Sequence, residues 1–182
     1  GAEALVRYTT SGFLDPSFGT GGIVTNQHFD RGTSVSITAD GVILVTGTTA
    51  GQFHLSRYTL DGELLSNWEQ IAGQRAIGAF PRPNGDIVLA GGDDGYQSAR
   101  VNVRGTLQDT GSLSSPGAIA NRSLLLPDGK FLIVGERDGH ILAGRFHPDG
   151  TPDVGFGFNG TTELPTLAAS DSAIGASLQH DG

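Results

Sequence analysis

An all-β fold made of four-stranded units set side by side is what this sequence predicts, and three observations predict it. Two separate markers recur through the chain at one period of roughly 45 residues. Each period divides into short apolar or alternating runs broken by glycine turns. No stretch carries a helical period, and 29 of the 182 residues are glycine, a composition of many turns rather than long helices.

The first marker opens with an arginine: RYTTSGFLDPSFG (7–19), RYTLDGELLSNWE (57–69), RVNVRGTLQDTGS (100–112) and RFHPDGTPDVGFG (145–157). Its arginines, Arg7, Arg57, Arg100 and Arg145, are spaced by 50, 43 and 45 residues. The second marker is a glycine turn leading into an apolar run: ITADGVILVTG (37–47), PRPNGDIVLAG (81–91), LLPDGKFLIVG (125–135) and LQHDG (178–182). Its turn glycines, Gly41, Gly85, Gly129 and Gly182, are spaced by 44, 44 and 53.

Within a unit the elements follow in order. The first strand is small and apolar, as in SVSIT (34–38) or IGASLQ (174–179). Gly78, Ala79, Ala118, Ala120, Gly175 and Ala176 suit a crowded central axis. An Asp-Gly or Asn-Gly turn follows, a strong hairpin signal. The second strand is almost wholly apolar (VILVTG, DIVLAG, KFLIVG), the pattern of a strand covered on both faces. A loop leads to the third strand, which ends at the marker arginine (FHLSRY, QSARV, ILAGRF). A second glycine turn precedes a weaker fourth strand, expected to contain Phe18, Trp68 or Phe156, with the aromatic covering a sheet edge.

Four strands per ~45 residues is the signature of a β-propeller blade. One such sheet cannot bury both of its faces, so neighbouring blades must stack. A β-solenoid is the runner-up; it would need shorter and more even coils. The expected organisation is a single domain over 1–182: a part-blade (1–27), blades at about 28–70, 71–112 and 113–164, and the leading strand of a next blade (165–182). The sequence starts at a third strand (EALVRY) and stops at the turn after a first strand. About four blade units are therefore expected to form an incomplete arc of a larger ring. A second copy, or the rest of a longer polypeptide, would complete it. The Gly1 start and the absence of methionine point the same way.

The pattern R-[YF]-x-x-[DS]-G-x-L-D-x-S-F-G-x-x-G followed by D-G-[KV]-I-L-V-[AT]-G resembles the delta-60 repeat of bacterial β-propellers, best over 7–22 and 37–58. The copies depart from it unevenly. The Asp15 position is kept at Asp153 but becomes Leu65 and Gln108, and the Phe18 position becomes Gly111 in the third copy. The resemblance implies a bacterial surface or secreted protein. It attaches no catalytic residue set to the repeat.

A net charge of −8 and a pI near 4.9 give no electrostatic footprint for nucleic acid or anionic membrane. Without cysteine there is no disulfide, thiolate nucleophile or Cys-based zinc site. No apolar run reaches the ~18 residues of a membrane-spanning helix. Protein partners are expected, with no nucleic acid, no membrane insertion and no cofactor.

Asp93 and Asp94 in GGDDGYQ are the candidate metal ligands, for Ca²⁺. Two carboxylates fall short of the roughly six to eight oxygens it takes, so a solvated loop is expected. The marker arginines are expected to be structural, pairing with Asp15, Asp153 or turn carbonyls. His28, His54, His140, His147 and His180 lack metal-binding spacing. Trp68, Tyr96, Tyr8 and Tyr58 are candidate sugar-stacking platforms, although blade-edge aromatics more often cap a sheet. The leading functional reading is a non-catalytic scaffold or interaction module. Two alternatives stand beside it: a propeller hydrolase or lyase with its site in the central funnel (loop residues Asp93, Asp94, Glu136 and Asp138), and a carbohydrate-binding propeller.

Overall fold

The computed structural model describes residues 3–27, 30–71, 73–164 and 171–179. It is all-β, and every ladder is antiparallel. A two-stranded part-blade pairs β1 (Glu3–Val6) with β2 (Ile23–Asn26). The first full blade is the meander β3 (Arg31–Ile37), β4 (Ile43–Thr49), β5 (Gln52–Tyr58) and β6 (Leu64–Ile71). The second runs β7 (Ala76–Pro81), β8 (Ile87–Gly91), β9 (Gln97–Val101) and β10 (Leu107–Ser112). The third runs β11 (Ile119–Leu125), β12 (Phe131–Arg137), β13 (His140–Phe146) and β14 (Thr161–Glu163). These stacked meanders form a partial β-propeller.

The innermost strands of the full blades lie side by side. Thr33 Oγ1 donates to the Ala76 carbonyl, and Ser123 Oγ donates to the Ile77 carbonyl at 3.4 Å. Small residues are needed there: a Cβ on Gly78 would run into Ser123 Oγ. Turn glycines Gly41, Gly85 and Gly129 adopt φ of +82°, +85° and +81°, the left-handed region that the Asp-Gly and Asn-Gly pairs signal.

The core consists of the seams between blades. Phe18, Ile43, Val45 and Tyr58 join the part-blade to the first blade. Leu44, Phe53, Leu55, Ile87, Leu89 and their neighbours join the first to the second. Val88, Ala90, Tyr96, Phe131, Ile133, Leu142 and Phe146 join the second to the third. Alternate residues of one strand therefore enter opposite seams, Ile87 and Leu89 on one side and Val88 and Ala90 on the other.

Several expectations change. Phe18 and Phe156 do not lie in fourth strands; they sit in the loops before β2 and β14. Only Trp68 is inside one, in β6. Phe18 does not cover a sheet edge, because the first blade buries it to 1% exposure. Residues 171–179, which include the expected strand IGASLQ, carry no strand. A strand needs a hydrogen-bonding neighbour, and IGASLQ pairs with no described strand. A Cβ on Gly175 would meet nothing within 4 Å, so Gly175 does not sit on a crowded axis. Gly182, His28, His180 and Asp181 lie outside the described residues. No helix among the described residues is long and apolar enough to cross a membrane.

Candidate interaction surface

The marker arginines close the outer corner of each blade, Arg7 and Arg145 in one arrangement and Arg57 and Arg100 each in another. Arg7 Nε donates to Asp15 Oδ2 at 3.0 Å, and its guanidinium carbon lies 4.9 Å from the centre of the Phe18 ring. Arg145 repeats this with Asp153 at 2.7 Å and Phe156 at 4.5 Å. Arg57 stacks over Trp68 at 5.4 Å. Arg100 faces Gly111 where the others face an aromatic; it pairs with Asp86 at 2.8 Å and also with Asp109. Carboxylates therefore replace the missing ring. Asp86 and Asp109 escaped the sequence reading because neither occupies the Asp15 position. The legible signal was the residue after each hairpin glycine: Val42, Asp86 and Lys130. Lys130 Nζ joins Arg145 on Asp153 at 2.9 Å. Those two cations, Lys130 first, outweigh desolvation and hold the Asp153 carboxyl down at about 2.

The other candidate residues are occupied by local structure. Asp93 pairs with Arg75 at 2.6 Å, while Asp94 Oδ1 accepts the Gly117 N–H at 2.7 Å. The two carboxylates serve different loops. Among the described residues no group of three or more His, Cys, Asp or Glu could hold a metal ion. His54 is fully buried, with Nδ1 2.7 Å from Thr49 Oγ1 and Nε2 2.7 Å from Asn67 Oδ1. Its network runs through Ser56 to Asn26 of the part-blade, which also donates to the Tyr58 hydroxyl at 2.8 Å. It ties two blades together within the core. His140 lies 3.7 Å from Glu163, and His147 lies 3.8 Å from Asp153.

Two of the aromatic platforms are not available for stacking. Tyr58 and Tyr96 are buried, and burial raises the Tyr96 hydroxyl above its ordinary pKa as it donates to the Leu142 carbonyl at 2.8 Å. Trp68 is half-buried against Gly105 of the next blade, whose φ of +79° only a glycine holds without strain. Tyr8 is exposed. Of the other funnel candidates, Asp138 sits at a positive-φ turn position, and Glu136 is on β12. A cleft of about 440 Å³ beside β14 is lined by Ser114, Arg137, Leu142, Phe158, Thr162 and Glu163. Arg137 and Glu163 pair with each other there at 2.7 Å.

One blade face differs from the others in its burial. In β4 and β8 the apolar run is buried on both sides, as its sequence implies. In β12 burial alternates: Phe131 and Ile133 are buried against the second blade, while Leu132 and Val134 are half-buried on the far side. Ile141 and Ala143 of β13 share that far face and its half-burial. Arg145, opposite Leu132 in register, is on it too. None of the described residues beyond β14 forms a strand beside this face; Asp171 N–H donates to the Gly139 carbonyl at 2.7 Å, and Ile174 is 78% exposed.

A family model described as a domain of unknown function (DUF5122) beta-propeller matches residues 38–64 and 126–156. Both stretches hold the second and third strands of a blade with their flanking glycine turns, which supports a β-propeller repeat family. Two solved structures are similar to this chain. One is a protein of unknown function from Bacteroides caccae, at 20% identity, covering 77% of this chain and 46% of that one with a TM-score of 0.44. The other is described as the eukaryotic initiation factor, at 15% identity, covering 80% and 36% with a TM-score of 0.48. The chain thus spans less than half the length of either. No curated protein matches it.

Proposed function

We propose that this chain is a non-catalytic interaction module, an arc of a delta-60-type propeller protein of a bacterial surface or secreted fraction, whose open blade face receives a protein partner. The half-buried far side of β12 and β13 carries this reading. Leu132, Val134, Ile141 and Ala143 form there the same apolar surface that the other blades bury in their seams. Contiguous apolar area of this kind on a soluble domain marks a protein contact. The charge-bearing loops give little support to the enzyme alternative, because Asp93, Asp94, Arg137 and Glu163 are already paired within the fold. The buried Tyr58 and Tyr96 weaken the carbohydrate alternative.

The chain has no cysteine, so Val134→Cys creates a single attachment point for an environment-sensitive dye. The emission is expected to shift to the blue with the protein fraction of a bacterial surface extract and not with its polysaccharide fraction. A shift with polysaccharide alone, or with neither, overturns the reading. So does turnover of hydrolase or lyase substrates by the purified chain.

A further inference from the structure

The open face carries the fittings of a seam as well as apolar area. At the first seam, the turn Leu60–Gly62 of the first blade is gripped at three points. Arg7 donates to the Leu60 carbonyl, Gly19 N–H donates to the Asp61 carbonyl at 2.8 Å, and Gly62 lies against the Phe18 ring. A Cβ on Gly62 would come to 3.0 Å from that ring and 2.6 Å from Val24. The grip therefore requires a glycine.

The same gripping loop recurs on the open face. Residues 153–160 (DVGFGFNG) repeat the backbone of 15–22 (DPSFGTGG). Phe156 N–H donates to Asp153 O at 3.0 Å as Phe18 donates to Asp15 O at 3.1 Å. Gly160 donates to Phe156 O at 2.9 Å as Gly22 donates to Phe18 O at 2.8 Å. Gly157 and Gly19 share φ near +55° and +52°. Arg145 stacks on Phe156 as Arg7 does on Phe18. Yet among the described residues no turn lies on Phe156, and no carbonyl meets Gly157 N–H.

The piece that fits is at the other end of the arc. The turn Thr9–Gly12 has the bonding of Thr59–Gly62: Gly12 N–H donates to Thr9 O and Gly62 N–H to Thr59 O, each at 3.0 Å. Gly12 has φ +82° against +89° for Gly62, and a Cβ on it would meet nothing within 4 Å. Val6 and Tyr8 beside it are exposed on the side of β1 where the first blade, at Ser56 and Tyr58, packs against its predecessor.

We infer that a second copy of this chain docks head to tail, its Thr10-Ser11-Gly12 turn seated on Arg145, Phe156 and Gly157. This rests on the reading of the open face as a protein interface. In the docked pair Arg145 donates to the Thr10 carbonyl and Gly157 N–H to the Ser11 carbonyl. Val6 and Tyr8 of one copy cover Ile141 and Leu132 of the other. The incoming part-blade brings third and fourth strands, so it covers the outer half of the face. Such a contact is heterologous and extends to a closed ring or to a longer array.

The test is sedimentation equilibrium on the 182-residue chain and on two variants, each checked for an unchanged β-sheet spectrum. Gly12→Asn keeps a residue that tolerates positive φ but adds a Cβ that collides with Phe156 on docking. Phe156→Ala removes the ring. The parent chain is expected to form dimers or larger species, and each variant to bind itself at least ~10-fold more weakly. An equimolar mixture of the two variants is expected to regain dimers, because one keeps the intact turn and the other the intact socket. A parent chain that stays monomeric overturns the second copy as occupant, while a dye shift with extract protein leaves the interface reading standing. Self-association that neither variant weakens overturns the socket.

Discussion

Strands β8 and β12 have almost the same sequence character, IVLAG and FLIVGER, and sit in different surroundings. Every residue of β8 is buried, with Ile87 and Leu89 in one seam and Val88 and Ala90 in the next. In β12 the second face has no blade beside it among the described residues. The apolar run of a blade's second strand therefore encodes a capacity for two neighbours, and the stack decides whether both are present. The same holds for the aromatic loops. Phe18 and Phe156 sit in matching backbones, and among the described residues only Phe18 has a neighbouring turn on it.

The largest expected break in this comparison comes from the loops. Phe18→Ala should destabilise the chain by about 3–5 kcal/mol, because a buried ring leaves a cavity in a seam. Phe156→Ala in the monomer should cost roughly 1 kcal/mol, since little of its surroundings is lost. Urea unfolding followed by far-UV circular dichroism reads both, and equal costs would mean that the two loops are equally packed. Next come the strands. Leu89→Ala should cost about 2–5 kcal/mol and Leu132→Ala roughly 1 kcal/mol, measured in the same way.

The third prediction sharpens the seam between the second and third blades. Gly111 has no positive φ, so alanine strains nothing locally. Its Cβ would run into the Gly150 carbonyl of the next blade and lie 2.7 Å from Ser98 Oγ, which itself donates to Gly150 O at 2.5 Å. Gly111→Ala should therefore cost about 1–3 kcal/mol through crowding alone. Gly117→Ala has open space around its Cβ and a φ of +76°, so it should cost about 1 kcal/mol from backbone strain. Thermal melts of the pair separate the two causes.

The smallest effect is electrostatic. Asp153 titrates at about 2 in the fold, below the ~3.9 of a free aspartate, so the unfolded chain takes up its proton first as pH falls. Its contribution is complete above about pH 4 and is lost progressively toward pH 2. Asp153→Asn should flatten the decline of stability over that window, read from unfolding midpoints at a series of acid pH values.

Much of this architecture was legible in the chain because turn chemistry and strand pattern are local. The glycines at 41, 85 and 129 announce their positive φ through the residue before them, and VILVTG, DIVLAG and KFLIVG announce strands with two apolar sides. The pairing of Arg7 with Asp15 and Arg145 with Asp153 was also readable, since both partners lie within one repeat. Arg100 was less so. Asp109 lies in its own marker but one residue past the Asp15 position, Asp86 directly precedes β8, and the register of the sheet brings both to one corner.

By itself the sequence determined that this is a repeated, glycine-turned, all-β chain whose blades are built to stack on both sides. Tertiary structure alone decided which faces are covered, that the ring of Phe18 is buried in a seam while Phe156 stays half-open, and that IGASLQ lies outside any ladder. The physical reason is range. A turn is set by the φ preferences of two or three residues, whereas burial of a blade face depends on whether another sheet lies about 10 Å away.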